Sequence, residues 1–376
     1  MVYLMKLVTL EKNPNIKIST KIEKYLNPDY IYIPYNKTNT NIKNGENVCI
    51  NQKIGNYFSS ISGIVIGINE KKYITIANNF KEKSIYNNKS KKSSYNKDNF
   101  TQILENMEVQ NKKLFNIFKS LKKCKNIVVC AINDEMYVLN NIIILKQNIT
   151  KILDMINKLA IRYKSVNNLI VFKNTENNII NSCFNVLESY PNINMSLVPD
   201  KYLISRPNIL IDYLKLNLND TLFLTVDDLV DLINITKTGF LSDTKIITIS
   251  GNAIEESKII KVKKYTKIKD LINKFIKISD KNYILLKNNI LEGNIISLDD
   301  IIDDEIASIH FMKKNKIKEH KCMKCGKCIE VCPMGIDIIK QIELGTPNSK
   351  CINCGICSYI CPAYIDLRKY ISGDKK

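Results

Sequence analysis

Cys322, Cys325, Cys328 and Cys332, and again Cys351, Cys354, Cys357 and Cys361, repeat the spacing C-x2-C-x2-C-x3-C-P within the stretch "CMKCGKCIEVCPMGIDIIKQIELGTPNSKCINCGICSYICPAY". Eight of the chain's 12 cysteines stand there. Thiolates at that spacing form the ligand run of a two-cluster ferredoxin, in which the fourth cysteine of each run ligates the other cluster. The spacing therefore predicts one [4Fe-4S] cluster on Cys322, Cys325, Cys328 and Cys361, and a second on Cys351, Cys354, Cys357 and Cys332. Gly326 and Gly355 sit between ligands, where a residue without Cβ lets the backbone fold tightly over a cubane. Pro333 and Pro362 follow the fourth ligands and fix φ where the chain must turn away. Zinc sites favour separated C-x2-C pairs, and disulfide frameworks belong to short secreted chains rather than one of 376 residues.

Something must position those cysteines, and the length leaves room for two to four domains with buried cores. The formal charge of +19 invites a nucleic-acid partner. Against that, the lysines are spread through every region alongside many Asn and Ile, two clusters would subtract about four charges, and no nucleic-acid motif accompanies them. The charge fits an anionic membrane surface or an acidic redox partner better. No stretch approaches the roughly twenty apolar residues of a membrane span, and no signal-peptide run opens the chain. A soluble or peripheral protein without its own transmembrane segment is expected. Cys49, Cys124, Cys130 and Cys183 lie scattered in apolar surroundings and read as buried thiols in a reducing cytoplasm.

The chain reads as an α+β multidomain protein. Residues 1–80 are β-rich, with "YIYIPY", "IKNGENVCINQKIG" and "SSISGIVIGINEKKYITIA" as short strands punctuated by Gly45, Gly55 and Gly63. A small barrel-sandwich is expected, its turn tip holding Ser60, Ile61 and Ser62 instead of a lysine for lipoyl or biotin. Residues 81–124 read as a linker and helix, the polar run 81–100 lacking apolar periodicity. Residues 125–215 alternate strand and helix: "NIVVCAI" (Asn126 to Ile132), a helix over Ile149 to Tyr163, "NLIVFK", a helix over Ile179 to Leu187, and "INMSLV". That order argues for a parallel α/β sheet. Such sheets bind ligands at the carboxyl ends of their strands, yet no glycine occurs between Gly67 and Gly239, so a Gly-rich phosphate loop is excluded there. Residues 240–312 read as a β-grasp-like unit, with strands "KIITISGNAI", "KIIKVKKY" and "NYILLKNN" and a helix capped near Thr266. Residues 318–372 form the cysteine module. His310 and His320 are the only histidines, His320 reading as solvated beside lysines and a glutamate. Tyr359 and Tyr364 flank Cys361 and could lie against a cluster or pack a small core. The tail "DLRKYISGDKK" reads as a solvated, basic amphipathic end.

This order of parts resembles the RnfC family, the peripheral NADH-side component of the Rnf electron-transport complex, a membrane-bound oxidoreductase. The motifs carrying the resemblance are "CMKCGKCIEVCPMGI" and "CINCGICSYICPAYIDLRKYI", with "IKNGENVCINQKIG", "SSISGIVIGI" and "ITISGNAI" as further matches. The resemblance implies a β-grasp unit of the SLBB type, a ferredoxin:NAD-type electron-transfer role, membrane-embedded partners with a ferredoxin-type carrier, and a place on the inner face of the cell membrane. It also implies FMN and NADH, with Glu135 and Tyr137 in "CAINDEMYVLNNIIIL" as the matching site residues. The family's Cys and Pro in that segment and its Gly-rich, Phe-Pro loop are missing here, "NMEVQNKKLFNIFKSLKK" standing in the loop's place. Three functions follow: a two-cluster electron relay without an acid-base residue; a flavin- and nicotinamide-dependent oxidoreductase with a divergent pocket, a class that includes a corrin-reducing relative; or a binding module stapled by its clusters.

Overall fold

The computed structural model describes residues 7–14, 16–35, 41–69, 72–85, 97–121, 123–314 and 318–372. Of the polar run 81–100, residues 86–96 lie outside these, as does the tail beyond 372. The chain opens with β1 (Ile18–Tyr25), followed by β2 (Tyr30–Pro34), β3 (Asn47–Val48), the hairpin β4 (Lys53–Ile54) and β5 (Tyr57–Phe58), then β6 (Gly63–Ile68) and β7 (Tyr73–Asn78). Four of them form an antiparallel sheet in the order β2-β7-β6-β3. Alternation makes its core: Ile31, Ile33, Val65, Ile74 and Ile76 are buried while Ile64 and Ile66 face out. Gly63 lies inside β6 rather than in a turn, and a Cβ there would stand 2.0 Å from the Ala77 carbonyl oxygen. Ser60, Ile61 and Ser62 are buried rather than projecting from a tip, and the Ser60 hydroxyl donates to the Lys264 carbonyl at 2.6 Å.

Helices α1 (Lys97–Gln110) and α2 (Lys112–Ser120) follow, then β8 (Asn126–Cys130), α3 (Asn140–Tyr163), β9 (Asn167–Lys173), α4 (Asn177–Leu187), β10 (Asn194–Val198), α5 (Pro207–Tyr213), β11 (Thr221–Thr225) and α6 (Val226–Thr238). The four strands form a fully parallel sheet in the order β10-β9-β8-β11. Every residue of β8 is buried, as a strand covered on both faces must be. Ile127 and Val129 face a layer containing α1, α2, α3, α4 and α6, while Val128 and Cys130 face Ile204, Leu210 and Leu7. Two sequence readings change here. Phe100, Met107, Leu114 and Phe118 bury α1 and α2 in the core of this sheet, so the helix expected within 81–124 is two helices that belong to it, the first starting inside the run read as a linker. The sheet also extends past residue 215 through β11 and α6.

The last body contains β12 (Thr244–Ser250), β13 (Ser257–Lys263), α7 (Ile268–Phe275), β14 (Tyr283–Lys287) and β15 (Ser308–Lys313). Its mixed sheet has the order β1-β13-β12-β15-β14, so β1 leaves the N-terminal sheet and pairs parallel to β13. Thr266 does not cap α7; its buried hydroxyl donates to the Lys263 carbonyl at 2.8 Å. Beyond the sheet come α8 (Lys327–Glu330), α9 (Ile338–Leu344), α10 (Ile356–Ile360) and α11 (Arg368–Ile371), which carry the cysteine module. Among the described residues, no helix is long and apolar enough to cross a membrane.

Candidate iron–sulfur centre

The two cysteine runs fold as pseudo-equivalent halves. In the first, Lys324 and Gly326 bracket Cys325 with φ of 52° and 79°; in the second, Asn353 and Gly355 bracket Cys354 with φ of 52° and 76°. Left-handed residues on both sides of a ligand turn the backbone sharply and line up successive N–H groups on the inside of the bend. Gly335 and Tyr364 repeat the device three residues after the fourth cysteines, with φ of 64° and 55°. α8 and α10 each start just after the central glycine and present Cys328 and Cys357 from their first turns.

The result sorts the eight thiols four and four. One pocket is lined by Cys322, Cys325, Cys328 and Cys361, with Met323, Ile339, Ile342 and Leu367 among its walls. A second is lined by Cys332, Cys351, Cys354 and Cys357, walled by Met334, Ile336, Ile338 and Ile371 among others. Among the described residues, no three His, Cys, Asp or Glu side chains group tightly enough to hold a single metal ion. The donor chemistry fits an iron–sulfur cluster in each pocket: four soft thiols within apolar walls. Burial pushes the Cys354 thiol up to about 11 and Cys357 to about 12, so these sulfurs give up their protons at neutral pH only against a metal. The Lys324 N–H donates to the Cys322 sulfur and the Ile336 N–H to the Cys332 sulfur, each at 3.4 Å.

The pockets differ in setting. The walls of both come from the module itself, but Cys322 and Cys325 of the first are exposed. Cys354 is buried and packs with Ile356 against Tyr202 and Leu203, which lie between β10 and α5. The Tyr202 hydroxyl donates to the Cys354 carbonyl at 2.7 Å and accepts from Asn289 Nδ2 at 2.6 Å. A Cβ on Gly355 would stand 2.0 Å from the Leu291 carbonyl oxygen, and one on Gly293 would stand 2.7 Å from the Arg368 guanidinium. The second pocket is thus keyed into both the parallel sheet's loops and the turn after β14.

Glu135 and Tyr137 lie in the segment that follows β8, at the carboxyl end of the sheet, but face different neighbours. Tyr137 is buried, has φ of 61°, and its hydroxyl accepts the Asn13 N–H at 2.6 Å. Burial raises the Glu135 carboxyl above its usual range, the Asp134 charge adding to this and Arg206 opposing it. Beside them the buried Lys173 amine lies 2.7 Å from Asp200 and 3.6 Å from Asp134, and donates to the Asn133 carbonyl at 2.9 Å. Burial also raises Glu176, to about 7. The groups at the strand ends are therefore largely engaged with one another and with the N-terminal segment.

Of the other singled-out residues, His320 is exposed, and its N–H donates to the Ala363 carbonyl at 2.9 Å. His310 is fully buried between Ser250, Ser308 and Asn288. Tyr359 accepts the Glu11 N–H at 3.1 Å, and Tyr364 is 57% exposed. The tail is not merely solvated, since Leu367 walls the first pocket and Arg368 and Ile371 the second. Cys124, Cys130 and Cys183 are buried, with thiols pushed up to about 11, 12 and 11 by burial, whereas Cys49 is half-buried. Sequence reasoning missed Lys324 and Asn353, whose equivalent placing before the second cysteine of each run was the available signal. It found no role for Tyr202 or Asn289, which carry no local signal at all.

Residues 311–366 match the family model described as the 4Fe-4S dicluster domain. The module is an iron–sulfur electron-transfer unit of ferredoxin type. No curated protein matches the chain in sequence. Among solved structures, the NAD+-reducing [NiFe]-hydrogenase in its air-oxidized state aligns at 9% identity and a TM-score of 0.48, over 70% of this chain and 52% of that one. The same enzyme in its H2-reduced state aligns at 8% identity and 0.49, over 71% and 59%. This chain spans a little over half the length of those chains, and likeness at this level carries nothing about its chemistry.

Proposed function

We propose that this chain is an electron-relay component of an oxidoreductase complex, passing single electrons between protein partners. Cys322, Cys325, Cys328 and Cys361 would hold one [4Fe-4S] cluster, and Cys332, Cys351, Cys354 and Cys357 the other. The observation that carries this reading is the four-and-four sorting of the thiols around two apolar pockets within a dicluster-type module. Bound clusters supply sites that gain and lose one electron at a time. The chain's part is to hold them, to exclude water with Ile336, Ile338, Ile342 and Leu367, and to bias reduction through the N–H groups of Lys324 and Ile336 that donate to sulfur. The proposal extends to the resemblance: an RnfC-like protein with a barrel-sandwich-like N-terminal sheet and a β-grasp-like mixed sheet. It would work on the inner membrane face with membrane-embedded partners and a ferredoxin-type carrier.

One observation favours a flavin-linked alternative. The loop after β10 spans the two: the Ser205 N–H donates to Asp134, at the carboxyl end of the parallel sheet, at 2.6 Å, and the Tyr202 hydroxyl to the Cys354 carbonyl, beside the second pocket, at 2.7 Å. One experiment separates the two. After anaerobic reconstitution with iron, sulfide and FMN, dithionite should bleach the broad visible absorbance and NADH alone should not. Bleaching by NADH would establish the flavin-linked enzyme instead. Cys361→Ser should then cost about half of the bound iron, with the loss confined to the cluster site that also uses Cys322; loss of both sites in equal measure would contradict the ligand assignment.

A further inference from the structure

A third cleft lies away from the cysteine module, where the β-rich N-terminal part, the parallel sheet and the mixed sheet meet. Its wall takes Tyr57 and Phe58 from β5, Gln110 from the end of α1, Asp243 from the approach to β12, Lys264 and Tyr265 from the turn after β13, and Asp304 from the loop before β15. Junctions between bodies of one chain are common places for small-ligand sites. Tyr265 is the unusual member. It is 5% exposed and has φ of 66°, a left-handed conformation that residues with a Cβ rarely adopt. Its N–H donates to the Ile302 carbonyl at 2.7 Å and its carbonyl accepts the Tyr32 N–H at 2.8 Å, so both sheets hold it there. Its ring meets that of Tyr57 edge to face, the centroids 5.8 Å apart. Its hydroxyl carries no hydrogen bond among the described residues and is not sealed from solvent, so it opens into the cleft whose wall it forms. Burial, with Asp304 and Tyr57 adding to it, raises the phenol, which therefore stays protonated at neutral pH.

Other polar groups on the wall are engaged. The Ser59 hydroxyl donates to the Ile61 carbonyl at 2.7 Å, and Gln110 donates to the Gly239 carbonyl at 2.8 Å and accepts the Leu241 N–H at 2.9 Å. Asp304 holds the buried Lys264 amine at 2.5 Å, and Asp243 holds Lys263. A carboxylate accepts several donors, so each keeps capacity beyond its lysine. Around Lys264 the aspartates prevail: Asp227 and Asp231 of α6 act on it together with Asp304, and Lys245 is the amine that opposes them. What the wall still offers is carboxylate oxygen, a phenol oxygen and aromatic rings, which suit a cation that brings its own N–H donors.

We infer that this cleft binds a small organic cation of the primary-amine class, its ammonium donating to the Tyr265 hydroxyl and Asp304 and its methylene body lying against the Tyr57 and Phe58 rings. The inference is independent of the relay reading and concerns a part of the chain that carries no cluster. Because three bodies share the wall, an occupied cleft ties them together and raises the unfolding temperature.

The probe is 1,4-diaminobutane, added to the reconstituted full-length protein, with sodium chloride at matched ionic strength and 1-butanol as controls for charge and for methylene groups alone. Calorimetry should show a single saturable site, and the unfolding temperature should rise with the diamine but with neither control. Tyr265→Phe removes only a hydroxyl that bonds nothing in the chain. The variant should therefore unfold as the wild type does without ligand, with equal iron content and dithionite bleaching, while its affinity for the diamine falls about tenfold. Equal affinity in the two proteins would overturn the assignment of the amine to this cleft. No saturable binding to the wild type, or a rise in unfolding temperature matched by sodium chloride, would overturn the ligand class.

Discussion

Gly326 and Gly355 occupy equivalent places but answer to different constraints. Both need a left-handed φ, yet a Cβ on Gly326 would meet nothing within 4 Å, whereas one on Gly355 would run into the Leu291 carbonyl. Against the protein's own atoms Gly326→Ala should therefore cost only the backbone term, about 1–2 kcal/mol, read in the cluster-free chain. Gly355→Ala should cost more and loosen the module from the rest of the chain, seen as faster proteolysis between residues 313 and 322. Equal effects of the two would contradict the docking. His310 provides a pH handle. Its Nε2–H donates to the Asn288 carbonyl at 2.6 Å while Nδ1 pairs with the Ser250 hydroxyl, so the ring is held neutral and burial lowers its pKa to about 4. The unfolded chain takes up that proton near 6.5, so stability is complete above that value and falls between 6.5 and 4, by about 2 kcal/mol at pH 5. The raised Glu176 and Asp231, both about 7, act in the opposite sense over the same range. The difference in urea midpoint between wild type and His310→Gln, followed from pH 7.5 to 5, isolates the histidine. At this scale the sequence is most legible where chemistry is written in local spacing. The cysteine runs can be read directly, but the left-handed Lys324 and Asn353 only by comparing the two runs, because lysine does not favour positive φ although asparagine tolerates it.

Elements show where reading stops. The strands and helices of the parallel sheet follow from apolar runs, and β8 is recognisable because nothing polar interrupts Ile127 to Cys130. Partnership is another matter. β1 precedes an antiparallel sheet in the chain, yet it pairs with β13 more than 230 residues away, a choice no local pattern encodes. α1 and α2 follow a polar run and are easily assigned to a linker; their aromatic and aliphatic side chains become informative only once the core they enter is known. α6 shows a start signal that could have been used. Thr225 accepts the Asp228 N–H through its hydroxyl at 3.2 Å, and Asp228 accepts the Thr225 N–H at 2.8 Å, a reciprocal cap in the sequence T-V-D-D. Thr225→Ala should lower stability by about 1 kcal/mol, measured by urea denaturation, with spectra of the reconstituted module unchanged.

Across the whole molecule, the segment 7–13 ties the parts together. The Val8 carbonyl accepts the Tyr202 N–H at 2.8 Å, the Thr9 hydroxyl donates to the Asp200 carbonyl at 3.1 Å, and Glu11 and Asn13 donate to Tyr359 and Tyr137. Tyr202 stands at the junction of this arm, the parallel sheet, the turn after β14 and the second pocket. Tyr202→Phe strips the hydroxyl partner from Asn289 and from the Cys354 carbonyl, an expected cost of about 1–3 kcal/mol. The signature should be selective: the redox midpoint of one half of the module shifts, that of the other does not. An even shift would mean that the two halves are not insulated in the way their packing indicates. The unequal setting of the two pockets also bears on how the protein ages. Cys322 and Cys325 face solvent while Cys354 and Cys357 are enclosed, so oxygen and peroxide reach the outer sulfurs first. Protein handled in air should pass through a half-stripped species that retains inner iron after outer iron has gone, and repair in the cell would need to rebuild only the outer half.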